Sequence, residues 1–415
     1  MLKRLLRTGA IIWFAVVVLM LTASALIEPA MRVSSDFHMN FYGAAYLVLH
    51  GQAQMLYPAA EAATFKGSQF DVFMHQHFPT LDVEKVGTYP YSPLVAVLFL
   101  PFALIPAHYS LLLWEGLNIV GLWLYARLAR TYDGISALDF FLSAFCFLPI
   151  VATLWIGQCS IAIGLLPLAA GYLLLRSKKD FAAGVLWSLL LLKPQYYPVV
   201  LITALCSKRP RLAGGLVAGT IVISVATVTC LSPGLFTLWI QSGIRLAETL
   251  FSGAVIVPPN LVACVPGDII IGLPPEQRMS CKWLIYGASG LIVLAGLGAT
   301  IRHCLANVKD DDQYMDVLLV LNLIALPMYS RLLVYDLSLY VLIGHLIFGR
   351  GIGARGGVVD QRFRKLGLAL LITLNLQVVL ATFLKVKLSF LIAAILTICI
   401  AASWWIALQI KSEDL

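Results

Sequence analysis

The sequence has few charged residues and no polar block long enough to form a soluble domain. Asp, Glu, Lys and Arg make up 12% of the 415 residues, hydrophobic residues make up 60%, and the mean hydropathy is +0.89. A helix crosses a bilayer with about 20 apolar residues, and such runs follow one another along almost the whole chain. These features exclude an ordinary soluble protein and predict a single all-α, polytopic membrane domain over residues 1–415.

The motifs of several enzyme classes are also missing. The sequence has no Walker A loop, no Cys-x-x-Cys pair and no HExxH pattern. The acidic run KDDDQYMD at 309–316 resembles a metal-binding DxD site, but its neighbours are basic, so we expect a solvated, helix-capping cytoplasmic turn. His75 and His77 have a spacing that suits a metal, yet two histidines in a loop are weak evidence, and we expect a surface role. We therefore expect neither a metal nor a cofactor.

The net charge of +8 is explained by Lys and Arg in cytoplasmic loops rather than by nucleic acid. The basic start and long apolar run of the first segment predict a retained helix with a cytoplasmic N-terminus; a cleaved signal peptide is the alternative. The later apolar runs lie at 90–106, 108–128, 137–156, 159–176, 181–206, 212–231, 283–302, 314–328, 336–349, 366–384 and 388–410.

Two of these runs cannot be single crossings. If 90–106 crossed the membrane, Arg127 and Arg130 would lie outside, so we interpret this proline-containing segment as re-entrant or interfacial. The run 181–206 must enter and return, which predicts two half-crossings joined at Lys193-Pro194-Gln195. The expected total is about 12 membrane segments, within a range of about 10–13.

This topology places three segments outside, in the periplasm or at the cell exterior: 28–107, 232–282 and 328–336. The first is the largest and holds most of the outward aromatic and acidic residues, so we expect the active site there. Cys264 and Cys281 both lie in the second segment, where they either pair in an oxidising compartment or stay reduced.

Asp36 begins the aromatic-rich segment that follows the first helix. Phe41, Ala45 and Val48 recur at i, i+4 and i+7, which predicts an amphipathic interfacial helix. Asp36 is therefore either a cap of that helix or a functional carboxylate.

Lys193 lies in apolar sequence, where an ion is costly. It either extends its ammonium to the membrane surface or binds an anion at a cavity, with Gln195 and Tyr196 as polar groups at the same level.

Other polar residues stand in outward turns. Arg331 and Tyr335 share a face if their turn is helical, and an Arg331–Asp336 ion pair is the structural alternative. Gln158 marks a further outward turn, while Asn260 either binds a polar ligand or closes a turn.

Taken in order, these pieces resemble glycosyltransferase family 87. They are an outward Asp36-Phe37 followed by aromatics, Gly51 with Tyr57 at a slightly stretched spacing, YPYSPL at 89–94, Gly157-Gln158, Lys193-Pro194-Gln195 and the late S-R-x-x-x-Y-D-L at 330–337. The resemblance covers roughly residues 30–350, and the order of the motifs carries its specificity.

The resemblance implies the GT-C architecture, in which juxtamembrane helices of the first outer loop carry a catalytic aspartate. It implies a polyprenyl-phosphate sugar donor, a mannose-like hexose, and a lipid or glycan acceptor among the membrane lipids of the plasma (inner) membrane. On this chain we therefore expect Asp36 to be the general base of an inverting transfer, and Lys193 and Arg331 to stabilise the departing phosphate. We expect Tyr42, Tyr89 and Tyr91 to stack on sugar rings, and the remaining substrate contacts to come from Gln158, Gln195, Asn260, Tyr335 and Asp336.

Two other functions remain open at this point. One is a transporter or flippase of a lipid-linked sugar, with Lys193 and Arg331 as its binding charges. The other is a non-catalytic subunit of an envelope assembly system. Transporters often contain paired internal repeats, and neither the KPQ nor the DF motif recurs in this sequence.

Overall fold

The protein is described by a computed structural model that covers residues 2–59, 65–252, 261–307, 311–329, 332–348, 368, 371–376 and 378–379. This part of the chain is helical and contains no β-strand, only an isolated antiparallel bridge between Val262 and Leu333. It forms two compact units. Unit 1 comprises Met1–Gly121, Val151–Cys159 and Ile221–Ile256, and unit 2 comprises Leu122–Ile150, Ser160–Thr220 and Val257–Leu415. The predicted all-α fold class is confirmed.

The apolar helices of the described residues fall into two groups, those long enough to cross a bilayer and shorter ones. Four are long and apolar enough to cross a bilayer, and a fifth span results if the two helices that meet at a 67° bend, Ala137–Phe145 and Leu148–Ile156, are counted together. Four further apolar helices are shorter, at Ser160–Arg176, Asp180–Leu192, Tyr314–Met328 and Val334–Leu346. The described residues thus supply four or five of the predicted crossings, and the run 388–410 lies outside them.

Up to residue 159, the helices of the first outer segment are short, and two long helices, Leu2–Leu26 and Ala107–Asp133, flank them. Their bounds are Leu2–Leu26, Pro29–Arg32, Phe37–Tyr42, Gly43–Leu49, Ala53–Met55, Gln69–His77, Pro93–Leu98, Leu100–Ala103, Ala107–Asp133, Ala137–Phe145 and Leu148–Ile156.

From residue 160 onward, π- and 3₁₀-segments adjoin several of the α-helices. The bounds are Ser160–Leu165, Leu166–Arg176, Asp180–Trp187, Ser188–Leu192, Pro194–Tyr196, Tyr197–Cys206, Pro210–Cys230, Pro233–Ser252, Val265–Gly272, Pro275–Asn307, Asp311–Tyr329, Val334–Tyr340 and Val341–Phe348. Cys264 and Cys281 do not form a disulfide.

The two predicted interruptions are present. Residues 90–106 form no continuous helix but two short ones, Pro93–Leu98 and Leu100–Ala103, each with proline in its first turn, where a missing N–H costs nothing. The run 181–206 is broken at Lys193, whose φ of −126° and ψ of 84° lie outside the helical region. Pro194 disfavours helical geometry in the residue before it, which accounts for the break.

The prediction of an amphipathic interfacial helix after Asp36 is wrong. Phe37–Tyr42 forms a π-helical turn that continues into Gly43–Leu49, and its side chains are buried on nearly every side, including His38 and Asn40. A Cβ added at Gly43 would overlap the side chain of Met74, which belongs to Gln69–His77. The other short helices of this segment cover the side that the sequence pattern assigns to water.

Two helices of unit 2 approach each other closely at glycines. A Cβ on Gly215, in Pro210–Cys230, would overlap the carbonyl of Phe181, and one on Gly184 would overlap the carbonyl of Leu212. Small residues at such positions let helix backbones come together where lipid gives no hydrophobic drive for association.

We expect Gly215→Ala to lower the unfolding free energy by about 1–3 kcal/mol, because the new methyl group forces the two helices apart. The matched control is Gly214→Ala, where a Cβ meets nothing within 4 Å. Alanine at that helical position should be neutral or should stabilise by up to about 1 kcal/mol. Thermal unfolding of the purified variants in detergent measures both effects, and equal transition temperatures for the two variants would contradict this packing.

Candidate functional site

Asp36 is oriented by an uncharged amide in unit 1. Its Oδ2 accepts a hydrogen bond from Gln158 Nε2 at 2.5 Å, and the Gln158 amide also meets the Tyr91 hydroxyl, 2.8 Å from Nε2 and 3.1 Å from Oε1. Gln158 is buried and Asp36 is half-buried. Asp36, Tyr91 and Gln158 are called the Asp36 cluster below. Three of the sequence motifs, DF, YPYS and GQ, meet in it.

The interpretation of Asp36 as a helix cap is not supported by the structure. Asp36 has helical dihedral angles, φ −61° and ψ −26°, and its side chain accepts no backbone hydrogen bond of the following turn. A capping residue has extended dihedral angles and binds the N–H groups of the first turn. The carboxylate is instead directed to Gln158.

The predicted stacking of Tyr42, Tyr89 and Tyr91 on a sugar is also not supported. All three rings are buried, and their hydroxyls contact Ile105 O, Ser92 O and the Gln158 amide respectively. The Tyr91 carbonyl further accepts a hydrogen bond from the Tyr57 hydroxyl at 2.6 Å. Tyr91 therefore holds Gln158 in place, and Tyr42 and Tyr89 belong to the aromatic core of the unit.

The turn that carries Gln158 depends on Gly157. This glycine has a φ of +69°, a left-handed conformation that commonly ends a helix, here Leu148–Ile156. A Cβ there would also overlap Phe37. The indole N–H of Trp114 donates to the Gly157 carbonyl at 3.1 Å, which fixes the turn from a third segment.

A buried ion pair forms the centre of a second cluster, in unit 2. Lys193 Nζ lies 2.5 Å from Asp336 Oδ1 and 2.8 Å from Ser160 Oγ, and both charged side chains are 1% exposed. The Tyr196 hydroxyl donates to Asp336 Oδ1 and lies 2.8 Å from Ser160 Oγ. Lys193, Asp336, Ser160 and Tyr196 are called the Lys193 cluster below.

The remaining contacts of Asp336 fix its second oxygen. Oδ2 accepts from the backbone N–H of Leu333 at 2.8 Å and lies 3.5 Å from Gln195 Nε2. The ring of Tyr335 lies 5.1 Å from Lys193 Nζ, a cation–π distance. The structure thus brings together four predicted residues: Lys193, Gln195, Tyr335 and Asp336.

Two predictions about these charges change. Lys193 is 1% exposed and pairs with Asp336, so the alternative in which its ammonium extends to the membrane surface is not supported. The basic partner that the structure gives Asp336 is Lys193, whereas the sequence suggested Arg331. Arg331 and Asn260 lie outside the described residues.

Ser160 was not identified from the sequence, although it is two positions after Gln158. Tyr196, which directly follows Gln195, was noted only as a polar group at the level of Lys193. The available signal was that each is a hydroxyl residue next to a polar motif within apolar sequence, where polar side chains need partners.

The acidic run and the histidines have structural partners. Asp312 pairs with Lys178 at 2.7 Å and with Arg209, while Asp316 lies 3.7 Å from Arg176. His75 Nε2 meets the Lys85 carbonyl at 2.9 Å. Within the described residues, no group of three or more His, Cys, Asp or Glu side chains is arranged to hold a metal.

His38, next to the Asp36 cluster, is buried as a neutral ring. Burial lowers the pKa of His38 from 6.5 to about 4. Nδ1 lies 2.9 Å from the Arg32 carbonyl, which assigns the proton to Nδ1.

We expect Asp336→Asn to destabilise the protein by about 3–5 kcal/mol, since it leaves the Lys193 ammonium buried without a countercharge. The double variant Lys193→Met/Asp336→Asn should recover most of this loss, because the uncompensated charge is gone. Chemical or thermal unfolding in detergent measures both. A double variant less stable than Asp336→Asn would contradict the ion pair.

We expect the protein to lose stability as the pH falls from about 7 toward 5, with His38 contributing to the loss. The unfolded chain, with an ordinary histidine pKa near 6.5, binds a proton in this range that folded His38 does not. His38→Asn, whose amide N–H can replace Nδ1–H, should show a smaller drop in transition temperature between these pH values. An identical drop would show that His38 does not contribute.

Comparison with known proteins gives one match. The family model of glycosyltransferase family 87 matches residues 89–334, more than half of the chain. The matched region contains Tyr91, Gln158 and Lys193 but begins after Asp36 and ends before Tyr335 and Asp336. No curated protein and no solved structure matches the chain. On the family match, this membrane protein belongs to glycosyltransferase family 87.

Proposed function

We propose that this glycosyltransferase moves a mannose-like hexose from a polyprenyl-phosphate sugar to a lipid or glycan acceptor, with Asp36 as the general base. One observation carries the proposal: a half-buried carboxylate on a buried segment is oriented by the Gln158 amide, itself fixed by Tyr91. By donating to Oδ2, the Gln158 amide fixes the direction of the carboxylate, and a positioned carboxylate can act as a general base.

The transfer is a single displacement. The acceptor hydroxyl oxygen attacks the anomeric carbon, and its proton passes to the Asp36 carboxylate. The bond from the anomeric carbon to the phosphate oxygen breaks, and its electron pair leaves with the polyprenyl phosphate. One attack from the opposite side inverts the anomeric configuration.

The donor phosphate requires positive charge as it departs, and we assign this role to Lys193 and Arg331. Asp336, Ser160 and Tyr196 hold the Lys193 ammonium in a fixed position. A preorganised donor stabilises developing charge without the cost of reorienting during the reaction. Gln195, Asn260 and Tyr335 remain predicted substrate contacts.

The predicted topology gives the proposal its orientation. With the N-terminus in the cytoplasm of the inner (plasma) membrane, Asp36 faces the periplasm or exterior. Lipid-linked sugars are the donors we expect there, since no DxD motif occurs in the predicted outer segments.

We expect Asp36→Asn to lower the transfer rate by about 100-fold or more, because asparagine cannot accept the proton of the acceptor hydroxyl. The assay uses purified protein in liposomes of bacterial lipid, polyprenyl-phosphate mannose as the probe donor, and mass spectrometry of the mannosylated product. Asp82→Asn is the matched control, because Asp82 is an exposed carboxylate of the same outer segment, and its Oδ1 accepts from the Glu84 N–H.

Two outcomes would overturn the proposal. Full transfer by Asp36→Asn would remove Asp36 as the base. Transfer by the wild-type protein from a nucleotide sugar, but not from polyprenyl-phosphate mannose, would replace the lipid-linked donor.

A further inference from the structure

Arg32 binds the end of the helix that leads to Gln158. Its Nη2 donates to the Trp155 carbonyl at 2.5 Å and to the Leu154 carbonyl at 3.2 Å, and its guanidinium lies 4.6 Å from the Trp155 ring centre. These carbonyls belong to the last turn of Leu148–Ile156, which ends two residues before Gln158. Last-turn carbonyls lack helical partners, and a cation there is favoured by the helix dipole.

The same residue lies four positions before Asp36. Arg32 ends the short helix Pro29–Arg32, and its carbonyl accepts a hydrogen bond from His38, within the turn that follows Asp36. Arg32 therefore joins the segment that carries Asp36 to the segment that carries Gln158, and all of these contacts lie within unit 1.

Glu115 supplies the countercharge. Glu115 Oε1 lies 2.5 Å from Arg32 Nη2, the two side chains are 3% and 1% exposed, and Arg32 Nη1 also donates to Ser24 Oγ at 3.0 Å. Glu115 lies in the long helix Ala107–Asp133, one residue after Trp114, which binds the Gly157 carbonyl.

This ion pair is an expensive way to gain stability. Among the described residues, Arg32 Nε and Glu115 Oε2 have no hydrogen-bond partner. Each such buried polar atom costs free energy, and apolar residues of similar volume often stabilise a protein as well as a buried ion pair does. What the pair does provide is a fixed geometry, because the planar guanidinium binds Ser24 through Nη1 and the two carbonyls and Glu115 through Nη2.

We propose that Arg32, with Glu115 as its countercharge, is a positioning residue that sets the distance between Asp36 and Gln158 for sugar transfer. The claim that Arg32 affects sugar transfer is the catalytic part of this inference, and it rests on the proposed function of Asp36. The claim that Arg32 sets the distance between the segments of Asp36 and Gln158 is the geometric part, and it is tested without any substrate.

The first experiment measures geometry. Asp36→Cys/Gln158→Cys is prepared in a Cys159→Ser background, and the rate of disulfide formation with copper phenanthroline is followed by mass spectrometry. Adding Arg32→Lys should slow the reaction several-fold, because the shorter lysine has a single donor nitrogen and cannot replace both Nη1 on Ser24 and Nη2 on the carbonyls and Glu115. Adding Arg209→Lys should leave the rate unchanged, since this buried arginine pairs with Asp180 and Asp312 in unit 2. Equal rates in the two backgrounds would overturn the inference.

The second experiment measures transfer from polyprenyl-phosphate mannose. We expect Arg32→Lys to lower kcat by about 10- to 100-fold with little change in the KM for the donor, because a misplaced base slows chemistry more than binding. Gln158→Leu should have a similar effect, and the double variant should lose little more, since both changes act on one contact. Arg209→Lys is again the control and should retain kcat.

The outcomes separate the two proposals. The positioning role would be overturned if the fold-losses in kcat of Arg32→Lys and Gln158→Leu multiplied in the double variant. An unchanged kcat in Arg32→Lys would also overturn it. An active Asp36→Asn would overturn the proposed base, while slower disulfide formation in Arg32→Lys would still support the geometric part. If Arg32→Lys does not fold, Glu115→Gln replaces it in both experiments. Glutamine keeps an oxygen that can accept a hydrogen bond from Arg32, but the substitution removes the countercharge.

Discussion

A charged or polar side chain withdrawn from water in an apolar chain must find its partner inside the protein, and this constraint organises both units. In unit 2, Lys193 and Asp336 are each 1% exposed and satisfy each other with the help of Ser160 and Tyr196. In unit 1, Arg32 and Glu115 form a second pair of the same kind. Because the penalty for a lone buried charge is several kcal/mol, each pair fixes the segments that supply its members.

The backbone breaks where these polar groups stand. Lys193 and Pro194 interrupt one apolar run, and Gly157 ends another in a left-handed conformation just before Gln158. A broken helix exposes carbonyls that need donors, and Arg32 and Trp114 supply them around Gln158. Irregular backbone within apolar sequence is tolerated when protein groups satisfy it in this way. The polar residues of both clusters accordingly lie at or next to such interruptions.

The two aspartates that the sequence suggested for function have different surroundings. Asp336 accepts hydrogen bonds from a lysine, two hydroxyls and a backbone N–H, which fix both of its carboxylate oxygens. Asp36 is oriented by the uncharged Gln158 amide. Asp336 is 1% exposed and enclosed by the other residues of the Lys193 cluster, whereas Asp36 is half-buried. This contrast is why Asp36, rather than Asp336, is the base in the proposed reaction, and why Asp336 is assigned to holding Lys193.

By itself, the sequence determined the membrane class, the helical fold, the breaks at 90–106 and Lys193, and the family, because hydropathy, proline and motif order are local properties of the chain. The partners were decided by tertiary structure alone. Nothing local shows that Gln158 meets Asp36, that Lys193 meets Asp336 across 143 positions, or that Glu115 is the countercharge of Arg32. The burial of residues 37–45 likewise followed from covering helices that the periodicity of this segment could not reveal. Which charges pair depends on which segments fold together, and that choice is made by the whole chain when it minimises unsatisfied polar groups.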